Sequence, residues 1–158
     1  MDIDLLITEG RVLQILKKAK LMQLATSVKN QPRVSNVWFG FDKRLNLYFM
    51  SGKDILHSKE LKKNPKVAGS VAVQKFAVPG KAVMGITFQG KCREIPKSQA
   101  REAYRFYLRS PGKTMIPLKE ILSGKSRRRL YKVVPEVYML FDEVDFPEQP
   151  RHTLRLRH

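Results

Sequence analysis

The chain has a single cysteine, Cys92, among its 158 residues, so it cannot form an internal disulfide. It also offers no second thiolate for a cysteine-based metal site. Histidine is nearly as scarce, because His57, His152 and His158 are far apart in the sequence and have few neighbouring carboxylates. We therefore expect no metal site built from these side chains. The basic neighbours of Cys92 could lower its thiol pKa, although a lone cysteine in a strand more often serves packing.

Long hydrophobic runs are missing as well. No stretch approaches the roughly 20 apolar residues that cross a bilayer, and the N-terminus, with Asp2 and Asp4, has no apolar run after a basic segment. We therefore expect a cytoplasmic protein with no membrane partner. The sequence also lacks a serine-nucleophile elbow, a Walker phosphate loop and a glycine-rich dinucleotide turn. Serine hydrolysis and nucleotide binding of the common α/β kinds are therefore disfavoured.

Positive charge, in contrast, is abundant. The chain has 31 Lys and Arg against 14 Asp and Glu, a formal net charge of +17, and its 42% hydrophobic content excludes a disordered basic tail. The excess is spread evenly, at +8 for residues 1–79 and +9 for residues 80–158. The densest local patch is Lys125 with Arg127, Arg128 and Arg129. A field of this sign steers anionic small molecules, a nicotinamide dinucleotide among them, toward the protein.

Hydrophobic alternation predicts a mainly β fold: an antiparallel barrel of six to seven strands with flanking helices. Short turns join the first three strands, as in an antiparallel meander, and closure into a barrel protects the sheet edges. We expect one domain over residues 1–158, with an irregular tail from residue 146. The predicted strands are 21–28, 33–41, 45–50, 67–73, 83–95, 129–134 and 137–144, and the helices include one with Thr8 as N-cap, a short one through 57–61, and 99–108.

Groups suited to binding an anion are clustered between the third strand and the next helix. Ser51, Lys53, His57 and Lys59 lie within nine residues of one another. Free backbone N–H groups at a helix start favour an anion, and hydroxyl, ammonium and imidazole groups add charge-assisted hydrogen bonds. The pattern predicts a phosphate site. A solvated lysine-rich helix start, with Ser51 as its cap, is the alternative.

Four segments of the sequence resemble the pyridoxamine 5'-phosphate oxidase-related proteins. They are Tyr48–Ser51, His57–Leu61, Asn64–Val71 and Gly85–Lys91, and the similarity covers roughly residues 8–145. It is closer to a small uncharacterised subgroup, which has a histidine at the position of His57, than to the oxidase itself. The resemblance implies a split β-barrel that binds FMN between the two subunits of a homodimer and acts as an oxidoreductase or flavin reductase. Other members of the superfamily bind the deazaflavin F420 or haem.

The same resemblance implies a set of cofactor-binding residues but no catalytic residue. His57 stands where the family has a basic ligand of the FMN phosphate, and Ser51 where a Ser or Thr opens the phosphate turn. The strand from Val34 to Trp38 matches the one that runs along the isoalloxazine ring. The implied FMN-binding residues are Ser35, Asn36, Val37, Trp38, Ser51, Lys53, His57, Ser58, Gly85 and Gln89.

The sequence departs from the oxidase at two places. Leu56 and His57 replace an Arg-Lys pair that enters the helix, which removes one guanidinium from phosphate binding. Residues 147–158 lack the oxidase's substrate signature. The sequence therefore gives no support for oxidation of pyridoxamine phosphate.

A basic nucleic-acid-binding barrel without flavin is the alternative function. Aromatic residues interleaved with basic ones could stack on single-stranded bases. However, no nucleic-acid motif is present, and the spacing of Tyr104 and Tyr107 also fits the buried face of a helix. The aromatic residues concerned are Tyr104, Phe106, Tyr107 and Tyr131, and the basic ones are Arg101, Arg105, Arg109 and Arg129. A Lys- and Arg-rich surface that serves only thermal stability would involve no partner at all.

Overall fold

The computed structural model describes residues 3–73, 82–109 and 116–157, and the fold is given for these. The strands are β1 Leu21–Val28, β2 Gln31–Phe41, β3 Leu47–Gly52, β4 Lys66–Ala72, β5 Met84–Glu94, β6 Arg128–Asp142 and β7 Arg151–Arg155. The helices are α1 Ile3–Lys18, α2 Leu56–Lys63, α3 Ala100–Leu108 and α4 Leu118–Ser123, with a 3₁₀ turn at Lys97–Gln99.

All strand pairings within these residues are antiparallel, and the spatial order is β3-β2-β1-β4-β5-β6-β7. A further pairing of β3 with β6 closes the sheet into a barrel. This confirms the predicted mainly β barrel with flanking helices. The meander of β1, β2 and β3 is also as predicted, and β1 turns into β2 through Lys29 and Asn30, which have φ of 53° and 59°. Positive φ at both turn residues is typical of a type I′ hairpin.

The prediction of two separate strands at 129–134 and 137–144, divided at Pro135, is wrong, because β6 runs unbroken from Arg128 to Asp142. Pro135 pairs with Gly90, and the register of β5 against β6 shifts between Gln89 and Gly90. At such a bulge the hydrogen-bond ladder is already interrupted, so a residue without an N–H group is tolerated. Gly90 is required there, since an added Cβ would lie 2.2 Å from the carbonyl oxygen of Val134.

Two further predictions are corrected at the chain ends. The tail expected to be irregular from residue 146 contains β7, which pairs with β6 and buries Leu154. Arginines on both sides of Leu154 masked the alternation in the sequence. Thr8 is not an N-cap, because α1 already begins at Ile3 and Thr8 lies buried in its middle.

Buried hydrophobic side chains of α1 and the strands form the main core. Val12, Ile15 and Leu16 of α1 pack into the same cluster as Phe49 and Phe88 of the strands. Cys92 belongs to this cluster, and burial raises its thiol pKa, as expected for a packing role. No helix among the described residues is long and apolar enough to cross a membrane.

An ion pair ties α1 to the end of β6. Arg11 donates to Asp142 Oδ2 from Nε at 2.9 Å and from Nη2 at 2.7 Å, and the backbone N–H groups of Val144 and Asp145 donate to Oδ1. Burial of Asp142 opposes its ionisation, but these four hydrogen bonds outweigh that effect and lower the pKa of the carboxyl. The carboxylate is therefore fully satisfied in its buried position.

A second, smaller core covers the outside of β3 and β6. Ala103 and Tyr107 of α3 are buried there with Tyr48 and Leu130. The helix approaches β2 so closely that a Cβ on Gly40 would lie 1.9 Å from the carbonyl oxygen of Phe106. This packing fixes β3, and with it the turn that follows.

Candidate functional site

The end of β3 and the start of α2 position the predicted anion-binding turn. Ser51 is buried near the end of β3, next to the turn that leads to α2. Its Oγ lies 2.8 Å from Nε2 of His57, which is in the first turn of α2. Either atom can donate, depending on the histidine tautomer. The backbone N–H of Lys53 donates to the carbonyl oxygen of Arg127 at 3.0 Å, which holds the turn against the start of β6.

The N-terminus of α2 has no side-chain cap. Ile55 occupies the N-cap position in an extended conformation and has no polar side chain to offer. The first-turn backbone N–H groups of Leu56, His57 and Ser58 therefore lack the partner that a serine or aspartate cap would supply. The positive end of the helix dipole adds to them, so this terminus is suited to an anion.

His57 is half-buried, and desolvation lowers its pKa, with the nearby Glu60 carboxylate acting in the opposite direction. Its ring lies 6.3 Å from that of Phe49, centroid to centroid. The imidazole is therefore neutral near pH 7 in the free protein. An anion bound beside it would favour the protonated form, because opposite charges raise the pKa of a base.

A second buried carboxylate fixes the direction of α2. Glu60 accepts a hydrogen bond from Thr26 Oγ1 at 2.6 Å and one from Arg33 Nε at 2.8 Å. Asn64, directly after the helix, donates to the carbonyl oxygen of Ser27 at 2.8 Å. These bonds connect α2 to β1 and β2, so the position of His57 depends on the barrel rather than on the loop alone.

The basic segment at residues 125–129, which the sequence shows only as a separate patch, lies beside this turn. In the pairing of β3 with β6, Ser51 is opposite Arg129 and Gly52 is opposite Arg128. Arg129 Nε lies 3.5 Å from Glu94 Oε1. The ion pairs of the described residues include neither Arg128 nor Lys53. The sequence does not show this proximity, because it depends on the pairing of two strands far apart in the chain.

Arg127 has a different role in the same segment. It donates to Asp54 Oδ2 from Nε at 2.9 Å and from Nη2 at 2.5 Å. The hydrogen bond from Arg127 lowers the pKa of Asp54, which is an exposed carboxyl. The only acidic side chain in the turn is thereby neutralised by a partner, so it does not offset the charge of Lys53 and Arg128.

Two buried hydroxyl groups lie beneath the first turn of α2. Ser58 Oγ and Tyr131 OH are both enclosed, and neither has a hydrogen-bond partner of normal geometry among the described residues. Burial raises the pKa of Tyr131, whereas the neighbouring Ser58 hydroxyl acts to lower it. Ser58 is thus buried on the inner side of the predicted anion-binding turn, to which Ser51, Lys53 and His57 belong.

The other implied cofactor residues do not join this group within one subunit. Asn36 and Trp38 of β2 and Gln89 of β5 are exposed, while Ser35 is partly buried and Val37 is buried. Asn36 Oδ1 accepts from Gln23 Nε2 at 3.3 Å, and Gln23 Oε1 accepts from Ser70 Oγ at 3.1 Å.

Gly85 and Gln89 line two separate cavities along β5. Gln89 borders a groove of about 650 Å³ between β1, β4 and β5, with Lys66 and Lys91 at its edge. Gly85 borders a cavity of about 470 Å³ nearer β7. The structure therefore divides the predicted site into a phosphate part at α2 and a part on the outer face of the sheet.

That outer face carries several exposed apolar side chains, which the described part of the chain does not cover. Leu21 is 39% exposed, Val34 67%, Trp38 38% and Met139 37%. Leu21 and Trp38 are opposite each other on β1 and β2, whereas the polar row of Asn36, Gln23 and Ser70 separates them from Val34.

The aromatic residues of α3 are engaged in packing rather than free to stack on bases. Tyr107 is buried, Tyr104 OH donates to the carbonyl oxygen of Ile116 at 2.7 Å, and the ring of Phe106 stacks on Tyr48 at 5.0 Å. Tyr131 lies inside the barrel against Phe49. The interleaved pattern that suggested a nucleic-acid platform is therefore explained by the protein's own packing.

Comparisons with known proteins agree with this fold. A model of the pyridoxamine 5'-phosphate oxidase family matches residues 8–142. A UPF0306 protein of Pasteurella multocida is 32% identical over 98 residues, which span 61% of this chain and 64%, less than two thirds, of that relative.

Two solved structures share the fold at low sequence identity. An FAD-binding protein of Mesorhizobium loti has a TM-score of 0.62 at 15% identity, with 84% of this chain and 89% of that chain covered. A heme binding protein of Mycobacterium smegmatis has a TM-score of 0.71 at 13% identity, with 93% of this chain and 56% of that chain covered.

Proposed function

The chain belongs to the pyridoxamine 5'-phosphate oxidase family, and from this premise we propose that it is an FMN-dependent oxidoreductase or flavin reductase. When bound, the flavin supplies hydride and electron transfer, while the protein supplies binding, orientation and charge. The observation that carries the proposal is the turn at the start of α2. There the Ser51 and His57 pair and the uncapped helix terminus match the needs of a phosphate group.

The residues present fit an FMN phosphate in their donor chemistry. Ser51 and His57 each offer a side-chain donor, and the first-turn N–H groups of α2 offer backbone donors. Lys53 adds positive charge without an ion-pair partner in the described chain. F420 also carries a phosphate and haem carries carboxylates, so both remain alternative ligands of the same turn.

The proposal includes a homodimer with the cofactor at the subunit interface. Two features support it. The phosphate-binding residues and the outer-face residues Asn36, Trp38, Gly85 and Gln89 are on different parts of one chain, and the outer face exposes large apolar side chains, Trp38 and Val34 among them. A two-fold axis places one patch against the same patch of a second copy. The ring of a flavin held at α2 of one subunit would then meet the outer-face residues of the other.

The net charge of +17 supports anionic reaction partners, such as a nicotinamide dinucleotide. A cytoplasmic location is part of the same proposal, because reduced nicotinamide and flavin pools are found there. Nucleic acid is the lesser alternative, since the rings of α3 are packed.

The deciding experiment compares FMN with riboflavin, which has the same ring but no phosphate. We expect the purified protein to bind FMN, with the flavin spectrum perturbed, and His57→Ala to weaken FMN affinity about 10- to 100-fold, as for loss of a hydrogen bond to a charged group. Riboflavin affinity should be unchanged by the same substitution. Lys62→Ala, which removes an exposed cation from the last turn of the same helix, is the matched control and should alter neither.

Failure to take up FMN would overturn the flavin assignment, and uptake of F420 or haem instead would identify the alternative by its spectrum. Full FMN affinity in His57→Ala would refute the phosphate site while leaving flavin binding intact.

A further inference from the structure

A cavity of about 480 Å³ lies between α1, the turn from β2 to β3 and the end of α3. Four apolar side chains line its floor, namely Leu13, Leu16, Phe41 and Leu45. Its size falls within the range of about 300–1,000 Å³ that is typical of small-molecule sites. It opens near the start of β3, whereas Ser51 and α2 lie at and beyond the end of that strand, so it is separate from the proposed flavin site.

The rim of this cavity carries an excess of positive charge. Lys17, Lys43 and Arg109 stand at the rim with Glu9. The ion pairs of the described residues include none of these four. Arg109 is held in place by the ring of Phe106, with its Cζ 4.9 Å from the ring centroid.

The other carboxylate at the rim, Asp42, is occupied by the protein itself. Its Oδ1 accepts from the backbone N–H groups of Arg44 and Asn46, and its Oδ2 accepts from Asn46 Nδ2 and Tyr48 OH. Asp42 therefore serves to fold the turn and is not available to a cation. A smaller adjoining hollow past Lys43 adds Arg44 and Arg157 beside Leu156. The cavity and the adjoining hollow together have five cations against Glu9, a carboxylate with no ion pair among the described residues.

We propose that this cavity binds an amphipathic carboxylate, such as a medium-chain fatty acid. The apolar floor buries a hydrocarbon body, while the cations at the rim pair with the carboxylate head. A free phosphate would satisfy the rim but leave the floor uncovered, and an alcohol of equal length would satisfy the floor but not the rim. Both requirements together select the amphipathic anion.

The test is calorimetric titration of the full-length protein with decanoate, with butanoate and 1-decanol as comparison ligands. We expect saturable binding of one decanoate per chain, with butanoate and decanol at least about tenfold weaker, because each loses one of the two contacts. Lys43→Glu, an exposed rim substitution that leaves the core intact, should weaken decanoate about tenfold or more. Lys62→Glu makes the same charge change far from the cavity and should leave affinity unchanged.

A second variant tests the floor. Leu13→Trp fills the cavity from a partly buried position and should abolish decanoate binding, and far-UV circular dichroism with thermal unfolding verifies that it is folded. His57→Ala should bind decanoate normally, which separates this site from the flavin site. The proposal is overturned if decanoate shows no saturable binding, if butanoate binds equally well, or if Lys43→Glu and Lys62→Glu weaken binding equally.

Discussion

The helices α1 and α2 are both tied to the barrel by a buried carboxylate and an arginine, yet the two ties differ in how completely they are satisfied. At α1, Asp142 accepts four hydrogen bonds, two of them from Arg11. At α2, Glu60 accepts one bond from Arg33 and one from Thr26. The first tie joins a long helix to the last residue of β6, and the second orients a short helix whose own start is uncapped.

The difference extends to the groups around each tie. Near α2, the first-turn N–H groups have no side-chain cap, and the buried hydroxyls of Ser58 and Tyr131 have no hydrogen-bond partner among the described residues beyond the weak contact between them. Native proteins satisfy nearly all of their buried polar groups, so such exceptions call for an explanation. The ion pair at α1 stabilises the fold. At α2, on the proposed function, a bound ligand would accept the hydrogen bonds that the protein leaves unmade. Breaking each end separately tests this distinction.

The largest effect is expected from Asp142→Ala. The substitution removes the buried acceptor of four hydrogen bonds and leaves Arg11 with the exposed Asp145 as its remaining ion-pair partner. It should destabilise the protein by about 3 kcal/mol, the lower end of the cost of removing one member of a buried pair. Urea unfolding measures the change. Replacing both members, with Arg11→Met and Asp142→Leu, should lower the free energy of unfolding by clearly less than Asp142→Ala alone, because no unpaired buried charge remains. A loss below about 1 kcal/mol in the single variant would show that the tie at α1 is not structural.

Glu60→Ala should cost less, about 2–3 kcal/mol, because Arg33 is about half exposed and can be hydrated by water. Thr26, which is buried, loses its partner at the same time. The double variant with Thr26→Val should recover part of the loss, since no orphaned hydroxyl then remains. If Glu60→Ala is as damaging as Asp142→Ala in urea unfolding, the contrast between the two ends is wrong.

The pH dependence of FMN affinity distinguishes the ends further, on the proposed function. Burial lowers the pKa of His57 in the free protein, and a bound phosphate raises it, so binding takes up a proton between the two values. FMN affinity should therefore increase as the pH falls from about 8 toward 6.5, by at most about tenfold per unit for one proton. Titrations with riboflavin, and with FMN in His57→Gln, should lack this slope. An FMN affinity that rises with pH would contradict the assignment.

The smallest effect is expected from Ser58→Ala. Removing a buried hydroxyl whose one polar contact is the weak one with Tyr131 OH should change the stability by less than about 1 kcal/mol. Thermal or urea unfolding of the ligand-free protein provides the measurement, with Ser51→Ala as the comparison because Ser51 has a partner in His57. A loss above about 1 kcal/mol in Ser58→Ala would reveal a satisfied hydroxyl and remove one difference between the ends.

The sequence predicted features of the fold that depend on local pattern. The meander of the first three strands and the short turns that join them follow from turn chemistry and alternation. The prediction of an irregular tail was wrong because β7 is short and rich in arginine, so that its extended conformation depends on pairing with β6. Pro135 was misread for a similar reason, since only the opposite strand shows that its missing N–H falls at a bulge.

In the candidate site, too, only the part that is contiguous in the sequence could be predicted. The group from Ser51 to His57 is contiguous in the sequence and was found there, and the structure adds the direct bond between the two residues. Arg128 and Arg129 were seen only as a charge patch, because their position beside Ser51 and Gly52 requires the pairing of β3 with β6. The direction of α2 could not be predicted either. It depends on the hydrogen bonds of Glu60 with Thr26 and Arg33, which are distant in the sequence and meet only in the folded barrel.

The pairing of Ser51 with Arg129 also sets the order of events during synthesis. Strand β3 leaves the ribosome long before β6, and contacts between segments so distant in sequence form late and slowly. The turn at α2 has its own donors early, but Arg129, opposite Ser51, is added only when the last third of the chain is being made. A nascent chain therefore cannot pair β3 with β6 before that point, and on the proposed function flavin uptake would report completed folding.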